Sequence, residues 1–409
     1  MKEKRDNSMR NYKFRLYPNK VVETELNRQL DLCRWIYNRL LEELNKAREN
    51  SVKMKRYDTQ KLLVKLKEEK LELKNVYSKT LQMVNQQLWN NIHTLAGRKR
   101  KGYKIGILRF KSYDLFKSIF YNQSGFIIGN KKIILSKVGK IRAEFHREIK
   151  GSVKGIIISK RGSRWFACIQ IEDPKQEERQ VKPLPNTEMK AVGIDMGLKK
   201  FAVDSSSKFI DNPRFLKKTA NKIASLNRML ARKKKGSNRR NKVKLRLNTV
   251  YEHLQNQRKD FAHKLSAEYV KNYGIIAVEK LNTQGMVKNH KLSKSIYDAA
   301  WSQFMFFLSY KAESAGRILV RVNPKNTTQR CSVCGKLSKE HLDLSVRIFK
   351  CSYCGIELDR DYNAARNIII KALSGREPAS MLAESRPLLL RKQKQVRVLK
   401  REAPCGSSG

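Results

Sequence analysis

Four cysteines are arranged as two Cys-x-x-Cys pairs. The pairs are separated by 16 residues and comprise Cys331, Cys334, Cys351 and Cys354. This spacing matches that of zinc sites in which four thiolates close a tetrahedron around one Zn²⁺. A glycine follows each pair, which allows a tight turn whose backbone N–H groups point at sulfur. The spacing therefore predicts one structural Zn²⁺, and two reduced pairs without a metal are the alternative.

Three carboxylates are the second candidate for chemistry. Asp195 lies in Val-Gly-Ile-Asp-Met-Gly, Glu279 ends Ile-Ile-Ala-Val-Glu, and Asp361 lies in Asp-Arg-Asp-Tyr-Asn-Ala-Ala-Arg-Asn. Burying a carboxylate costs several kcal/mol unless a cation compensates it. Converging carboxylates suit hard cations, and two Mg²⁺ about 3.5–4 Å apart promote phosphodiester cleavage. Taken singly, each acid is equally well explained by helix capping or by bonds to backbone amides. At the last helix, we expect Asp359 to be the cap and Asp361 the ligand.

The net charge of the chain restricts its partners. Its 409 residues include 89 Lys and Arg against 37 Asp and Glu, which gives +52. A compact protein with this charge repels itself unless polyanions surround it, so the natural partner is nucleic acid, with an anionic membrane surface as the weaker alternative. No apolar run is long enough for a membrane span or a signal peptide. We therefore expect a cytoplasmic protein without a membrane partner and without a small-molecule substrate.

The first half of the chain predicts a β domain interrupted by helices. A basic-apolar strand at residues 12–17 ends at Pro18, and helical periodicity follows over about 21–49, 57–72 and 78–97. Short β-branched and aromatic runs then alternate with turn residues, which is typical of a small antiparallel barrel or sandwich.

The second half predicts an α/β domain. Three short strands form a meander from Ala191, a buried strand covers 274–279, and another covers 317–322. An amphipathic helix is expected over 293–314 and a closing helix over 361–373. Before them, 14 Lys or Arg lie between Arg214 and Arg246 without any acid.

The densest part of this basic segment predicts a nucleic-acid contact, because neighbouring cations without acids repel one another until phosphates bind. A solvated helix face is the alternative. The predicted contact residues are Lys233, Lys234, Lys235, Arg239, Arg240, Lys242 and Lys244.

The order of these pieces resembles the TnpB (OrfB) family of insertion sequences. The resemblance rests on GIDMGLKKFAV, IIAVEKLN, the two cysteine pairs and DRDYNAARNI, taken in that order. YKFRLYPNK, CRWIYN, GILRFKS, QRKDFAHKLS and NPKNTTQRCSVCG also resemble family segments, so the likeness spans nearly the whole chain.

The resemblance implies a fold of α/β plus β type. An RNase H-like (RuvC) nuclease domain with an inserted zinc ribbon would follow a small β-barrel (wedge) domain that has a helical (recognition) insertion. The implied bounds are 10–18 and 103–178 for the wedge, 19–102 for the helical insertion, 179–189 for a linker, 190–325 and 359–375 for the nuclease, 326–358 for the ribbon, and 376–409 for a basic tail.

The resemblance also implies an RNA-guided DNA endonuclease. Its catalytic Mg²⁺ ligands would be Asp195, Glu279 and Asp361, and its partners a guide RNA from the transposon end and target double-stranded DNA. Gln82, Asn85 and Gln86 share one helix side and are the candidate readers of a short flanking motif, although a solvated polar face explains them too. A guide-directed regulator without cleavage and a DNA-joining transposase are the alternatives; the former predicts a damaged set of acids.

Overall fold

The computed structural model describes residues 9–113, 115–172, 190–338 and 346–374. The predicted linker at 179–189 and the predicted tail at 376–409 lie outside these ranges. The chain divides into two units, Met1–Glu178 and Arg179–Gly409. Within the described ranges, no helix combines the length and the apolar composition that a membrane crossing needs.

The first unit contains one long sheet and three helices. Its strands are β1 Met9–Tyr17, β2 Ser118–Asn122, β3 Phe126–Gly129, β4 Lys132–Leu135, β5 Gly139–Glu144, β6 Ser152–Arg161 and β7 Arg164–Glu172. Its helices are α1 Lys20–Glu49, α2 Arg56–Glu69 and α3 Ser78–Arg100. The three predicted helices are therefore confirmed, with ends that differ by at most three residues.

Helix α1 shows how the sequence fixes these elements. Asn19 caps its start by accepting a 2.8 Å hydrogen bond from the backbone N–H of Val22, directly after the break imposed by Pro18. The apolar residues whose spacing predicted this helix are buried throughout. They are Leu26, Leu30, Cys33, Ile36, Tyr37, Leu40 and Leu41.

The seven strands pair antiparallel in the order β2-β6-β7-β1-β5-β4-β3. The opening strand thus lies at the centre of the sheet, and the helices are an insertion after it. A closed barrel would need β2 to pair with β3, and no such pairing occurs in the part of this unit that the structure describes. The antiparallel sheet is confirmed, whereas its closure into a barrel is not.

The second unit is built on a mixed five-stranded sheet. Its strands are β8 Ala191–Met196, β9 Lys200–Asp204, β10 Phe209–Asp211, β11 Ile275–Glu279 and β12 Ile318–Val322, in the order β10-β9-β8-β11-β12. The strands β8, β9 and β10 form the predicted antiparallel meander, while β8, β11 and β12 run parallel. A short antiparallel pair, β13 Ile348–Lys350 and β14 Glu357–Asp359, lies beside the second cysteine pair.

Helices cover both faces of this sheet. They are α4 Phe215–Ala231, α5 Asn238–Asn272, α6 Thr283–Met286, α7 His290–Ala299, α8 Trp301–Ser314 and α9 Arg360–Ser374. One face packs on α5 and α8, and the other face packs on α9. The helix predicted over 293–314 is wrong as a single element, because Ala300 adopts a left-handed conformation that separates α7 from α8.

Candidate active site

Two of the three predicted acids lie at the ends of neighbouring parallel strands. In the register of β8 and β11, Ile194 lies opposite Val278. The next residues along the two strands are Asp195 and Glu279. Because side chains alternate between the faces of a sheet, both carboxylates lie on the face that bears α9.

The third acid approaches this face on α9. Gly193 faces the helix so closely that an added Cβ would lie 2.1 Å from the carbonyl oxygen of Ala365. From this contact, Asp195 lies two residues further along the strand and Asp361 lies one helical turn earlier on the same side of α9. Those steps are about 6.6 Å and 6 Å. The glycine therefore allows the helix to bring Asp361 towards Asp195.

The electrostatics indicate that the three carboxylates influence one another. Burial raises the pKa of Asp195 well above its ordinary value, and the charges of Glu279 and Asp361 raise it further. Burial also raises the pKa values of Glu279 and Asp361. Like charges in a poorly solvated site disfavour ionisation, and a divalent cation would relieve that cost. The three acids remain only partly buried, so the site is accessible from solvent.

Cations near the site act against these shifts. Arg360 lowers the pKa values of both Asp195 and Asp361, and Lys371 lowers that of Glu279. Opposite charges stabilise the ionised carboxylates, which are the forms that bind a metal.

Asp359 and Asp361 have different roles at the start of α9. The carboxylate of Asp359 accepts hydrogen bonds of 3.0 Å from the backbone N–H groups of Asp361 and Tyr362. The cap predicted for Asp359 is thus confirmed. Asp361 lies in the first turn, where the helix dipole favours an anion.

The four cysteines form a compact cluster. Their sulfur atoms all lie within 4.8 Å of one another. The Sγ atoms of Cys331 and Cys354 are 3.7 Å apart, and those of Cys334 and Cys351 are 3.6 Å apart. Four sulfurs at about 2.3 Å from one Zn²⁺ would be separated by about 3.8 Å in a regular tetrahedron. The cluster therefore fits Zn²⁺.

The surroundings act differently on the thiols of the two pairs, because burial raises the pKa of Cys331 to about 12 even though backbone N–H groups lower it. Gly335 and Gly355 adopt left-handed conformations, and their N–H groups donate to the carbonyls of Cys331 and Cys351 over 2.9 Å. Burial raises the pKa of Cys351, but backbone N–H groups and neighbouring thiols lower it to about 7 overall. Within the described ranges, the four cysteines are the group of His, Cys, Asp or Glu side chains whose ligand atoms lie close enough together to hold one metal ion. The carboxylate oxygens of Asp195, Glu279 and Asp361 do not lie that close together.

A buried polar network joins the cysteine cluster to the acids. The side-chain amide of Asn363 accepts from the N–H of Ser332 and donates to the carbonyl of Arg330. Asn367 donates to the carbonyls of Thr327 and Arg330 over 2.9 and 2.6 Å. The hydroxyl of Thr327 contacts the carboxylate of Glu279. The loop of residues 323–332, which contains Cys331 and contacts Glu279, is thus tied to α9.

Thr327, Asn363 and Asn367 support this arrangement and were not among the residues predicted from the sequence. A signal for the two asparagines was present, since they are four residues apart and therefore share one side of the helix. Thr327 had no local signal, because its partner Glu279 is 48 residues away.

The predicted basic cluster lies at the junction of α4 and α5. Apolar residues of the two helices pack together, which leaves most of the cations exposed. Arg240 differs, because its guanidinium donates to the carbonyl of Lys233 over 3.0 Å and also to that of Leu230. Arg240 therefore closes the end of α4, while its role as a phosphate contact stays a prediction.

The three predicted motif readers on α3 do not share one environment. Asn85 is 0% exposed; its amide oxygen accepts from Thr59 and its nitrogen donates to Gln60 and to the carbonyl of Arg56. The prediction that it reads a base edge is wrong, because α2 covers it and satisfies its amide. Gln86 is partly buried and bonded to Asn90 over 2.7 Å. Gln82 is exposed.

Three family models match parts of the chain. The OrfB_IS605 model, described as "Probable transposase", matches residues 167–290. A model described as "Cas12f1-like, TNB domain" matches residues 301–368, and one described as "Helix-turn-helix domain" matches residues 9–53. The last range folds here as β1 followed by α1.

Relatives share sequence over most of the chain. The candidate RNA-guided DNA endonuclease InsQ of Escherichia coli K12 is 30% identical over 92% of this chain and 96% of its own length. A candidate RNA-guided DNA endonuclease of Streptomyces pristinaespiralis is also 30% identical, over 89% of this chain and 90% of its own. A solved Cas12f1-sgRNA-target DNA complex has a protein chain with 18% identity and a TM-score of 0.34, covering 88% of this chain and 99% of that one. With this extent of shared sequence, the chain belongs to the TnpB (OrfB) family.

Proposed function

We propose that the protein is an RNA-guided, Mg²⁺-dependent DNA endonuclease encoded by a transposon. The observation that supports the proposal is that Asp195 and Glu279 end neighbouring parallel strands on the face that α9 covers, where Gly193 lets the helix that carries Asp361 approach closely. The relatives named as candidate RNA-guided DNA endonucleases cover most of the chain and support the same function. Cleavage would occur next to a short flanking motif of the target.

The catalytic groups are Asp195, Glu279 and Asp361, acting as ligands of two Mg²⁺. When bound, the two ions would activate a water and stabilise the leaving oxygen of the phosphodiester. The carboxylates bind in their ionised forms, and Thr327 fixes the orientation of Glu279 by its hydrogen bond. Lys199 and Arg347, which lower the pKa of Asp361, add positive charge that attracts the DNA strand.

The second metal is one structural Zn²⁺ at the four cysteines. Sulfur separations of 3.6 and 3.7 Å support it. Because Asn363 and Asn367 tie this ribbon to α9, the Zn²⁺ would stabilise the loop that holds Glu279.

The partners are a guide RNA from the transposon end and target double-stranded DNA. The guide pairs with one DNA strand, and basic protein surface holds the heteroduplex by its phosphates. The exposed cations at the junction of α4 and α5 are candidates for that contact. The antiparallel sheet and its helical insertion would be the wedge and recognition domains, and the five-stranded unit the RuvC-like nuclease.

A DNA-joining transposase is the second candidate, because the family model for residues 167–290 is described as "Probable transposase". An RNase H-like site serves both reactions, since fold does not fix the outcome. Joined DNA products formed without any guide RNA would favour this candidate.

The test compares two matched variants of α9. Asp361→Asn removes a proposed ligand, whereas Asp359→Asn keeps the cap, since Asn caps helices about as well as Asp. With RNA copurified from the native locus and a DNA library with randomised flanks, Asp361→Asn should abolish Mg²⁺-dependent cleavage and retain RNA binding. Asp359→Asn should cleave like the wild type. Undiminished cleavage by Asp361→Asn would remove this residue from the site.

A further inference from the structure

The segment of residues 103–117 connects α3 to β2 and exposes an unusual number of large apolar side chains. It forms neither helix nor strand in its described residues. Five of its side chains are between 55% and 74% exposed: Tyr103, Ile107, Phe110, Tyr113 and Leu115. A concentration of large exposed apolar side chains within one short segment favours a binding surface over a solvated loop.

The same segment is strongly basic. From residue 98 to residue 117 the sequence has eight Lys or Arg and one acid, Asp114. The cations alternate with the exposed rings, so that Arg109 and Lys111 flank Phe110 in the sequence. An apolar protein partner or a membrane would not require cations that alternate with rings. A polyanion that also carries flat apolar groups, such as the bases of a nucleic acid, would require both.

The backbone that carries the rings is fixed in place. The N–H of Lys111 donates to the side-chain oxygen of Asn38 over 2.7 Å, and the amide nitrogen of Asn38 donates back to the carbonyl of Lys111 over 3.0 Å. Phe116 is buried and Leu108 packs against the core, so the segment is anchored on both sides of this contact. Phe110 and Tyr113 are thus exposed on an ordered backbone, which lowers the entropic cost of binding.

From these observations we propose that the segment of residues 103–117 binds unpaired nucleotides of RNA. Bases stack on Phe110 and Tyr113, and the flanking Lys and Arg side chains contact the phosphates. Aromatic faces combined with cations are the usual means of binding single strands. The choice of RNA rests on the proposed function, in which a guide RNA is the permanent nucleic-acid partner.

The experiment measures the affinity of RNA-free full-length protein for two fluorescent probes by anisotropy. One probe is a single-stranded oligouridylate, and the other is an abasic oligonucleotide of the same length, which keeps the phosphates and lacks the bases. Phe110→Ala and Tyr113→Ala should each weaken oligouridylate binding by about thirtyfold, the middle of the range for base stacking. Binding of the abasic probe should be unchanged.

Two variants serve as controls. Ile107→Ala removes a more exposed aliphatic side chain from the same segment, and Tyr57→Ala removes an exposed ring from α2. Both should bind oligouridylate like the wild type. Circular dichroism should show an unchanged unfolding midpoint for all four variants, because each side chain is exposed.

Three results would overturn the proposal. They are unchanged oligouridylate affinity in the ring variants, an equal loss in Ile107→Ala, and an equal loss with the abasic probe. Tighter binding of an equivalent deoxyoligonucleotide would overturn the choice of RNA. None of these results bears on the acid site, which is tested separately through Asp361→Asn, so failure of this proposal is distinguishable from failure of the proposed function.

Discussion

The contact between Gly193 and α9 gives a sharp test of how the acid site is assembled. In a Gly193→Ala variant, the added Cβ would lie 2.1 Å from the carbonyl oxygen of Ala365 and 2.8 Å from the backbone nitrogen of Ile369. Both are backbone atoms, and real Cβ atoms essentially never approach closer than 3.0 Å. The helix must therefore move away from the strand by about 1 Å.

The expected effects follow from that displacement. Overpacking of this kind costs about 1–3 kcal/mol, which lowers the unfolding midpoint of a unit of this size by roughly 2–12 °C. A shift of about 1 Å between Asp361 and Asp195 should also reduce cleavage about a hundredfold. The assays are thermal unfolding followed by circular dichroism, and the single-turnover cleavage rate at saturating Mg²⁺.

The matched control is Gly97→Ala in α3. Nothing lies within 4 Å of a Cβ built at Gly97, so the same change should stabilise its helix by about 0.5–1 kcal/mol and leave cleavage unchanged. If Gly193→Ala unfolds and cleaves like the wild type, α9 does not pack on β8 as described, and the assembly of the acid site argued above is wrong.

Three further outcomes are expected. Thr327→Val removes the hydrogen bond to Glu279 and should raise the Mg²⁺ concentration for half-maximal cleavage about tenfold. Thr327→Ser keeps the hydroxyl and should behave like the wild type. Identical behaviour of the two variants would refute an orienting hydrogen bond. Burial and two neighbouring carboxylates raise the pKa of Asp195, so its negative charge destabilises the metal-free fold at a pH above that raised pKa. In EDTA, Asp195→Asn should therefore raise the unfolding midpoint at pH 8, and this gain should disappear as the pH falls through the raised pKa of Asp195. An Asp195→Asn variant that is no more stable than the wild type at pH 8 would contradict this expectation. Asn85→Ala should lower the free energy of unfolding in urea by about 1–3 kcal/mol, because it leaves the buried partners of Asn85 without their hydrogen bonds. Gln82→Ala, at an exposed position, should change that free energy by less than about 0.5 kcal/mol. Equal losses in the two variants would contradict the buried network around Asn85.

Local patterns in the sequence determined the elements of this protein. The apolar spacing in α1, the cap at Asp359 and the strands that carry Asp195 and Glu279 each depend on residues close together in the chain. The cysteine spacing predicted a four-sulfur cluster for the same reason, because each half is a short turn closed by its own glycine.

Patterns on one helix could not show what packs against it. Spacing places Gln82, Asn85 and Gln86 on one side of α3, but the buried state of Asn85 depends on α2. In the basic cluster, charge alone could not distinguish Arg240, which closes α4, from its exposed neighbours.

The sequence by itself determined which residues are available for chemistry, and the tertiary structure decided which of them meet. Strand register places Asp195 beside Glu279 across 84 residues of chain, and the lack of a side chain at Gly193 lets α9 approach with Asp361. The polar loop that ties Glu279 to the cysteine cluster also depends on partners more than 30 residues apart. Such contacts form only when the sheet and α9 pack together, because their energy comes from burial and hydrogen bonds between distant segments and not from local conformational preference.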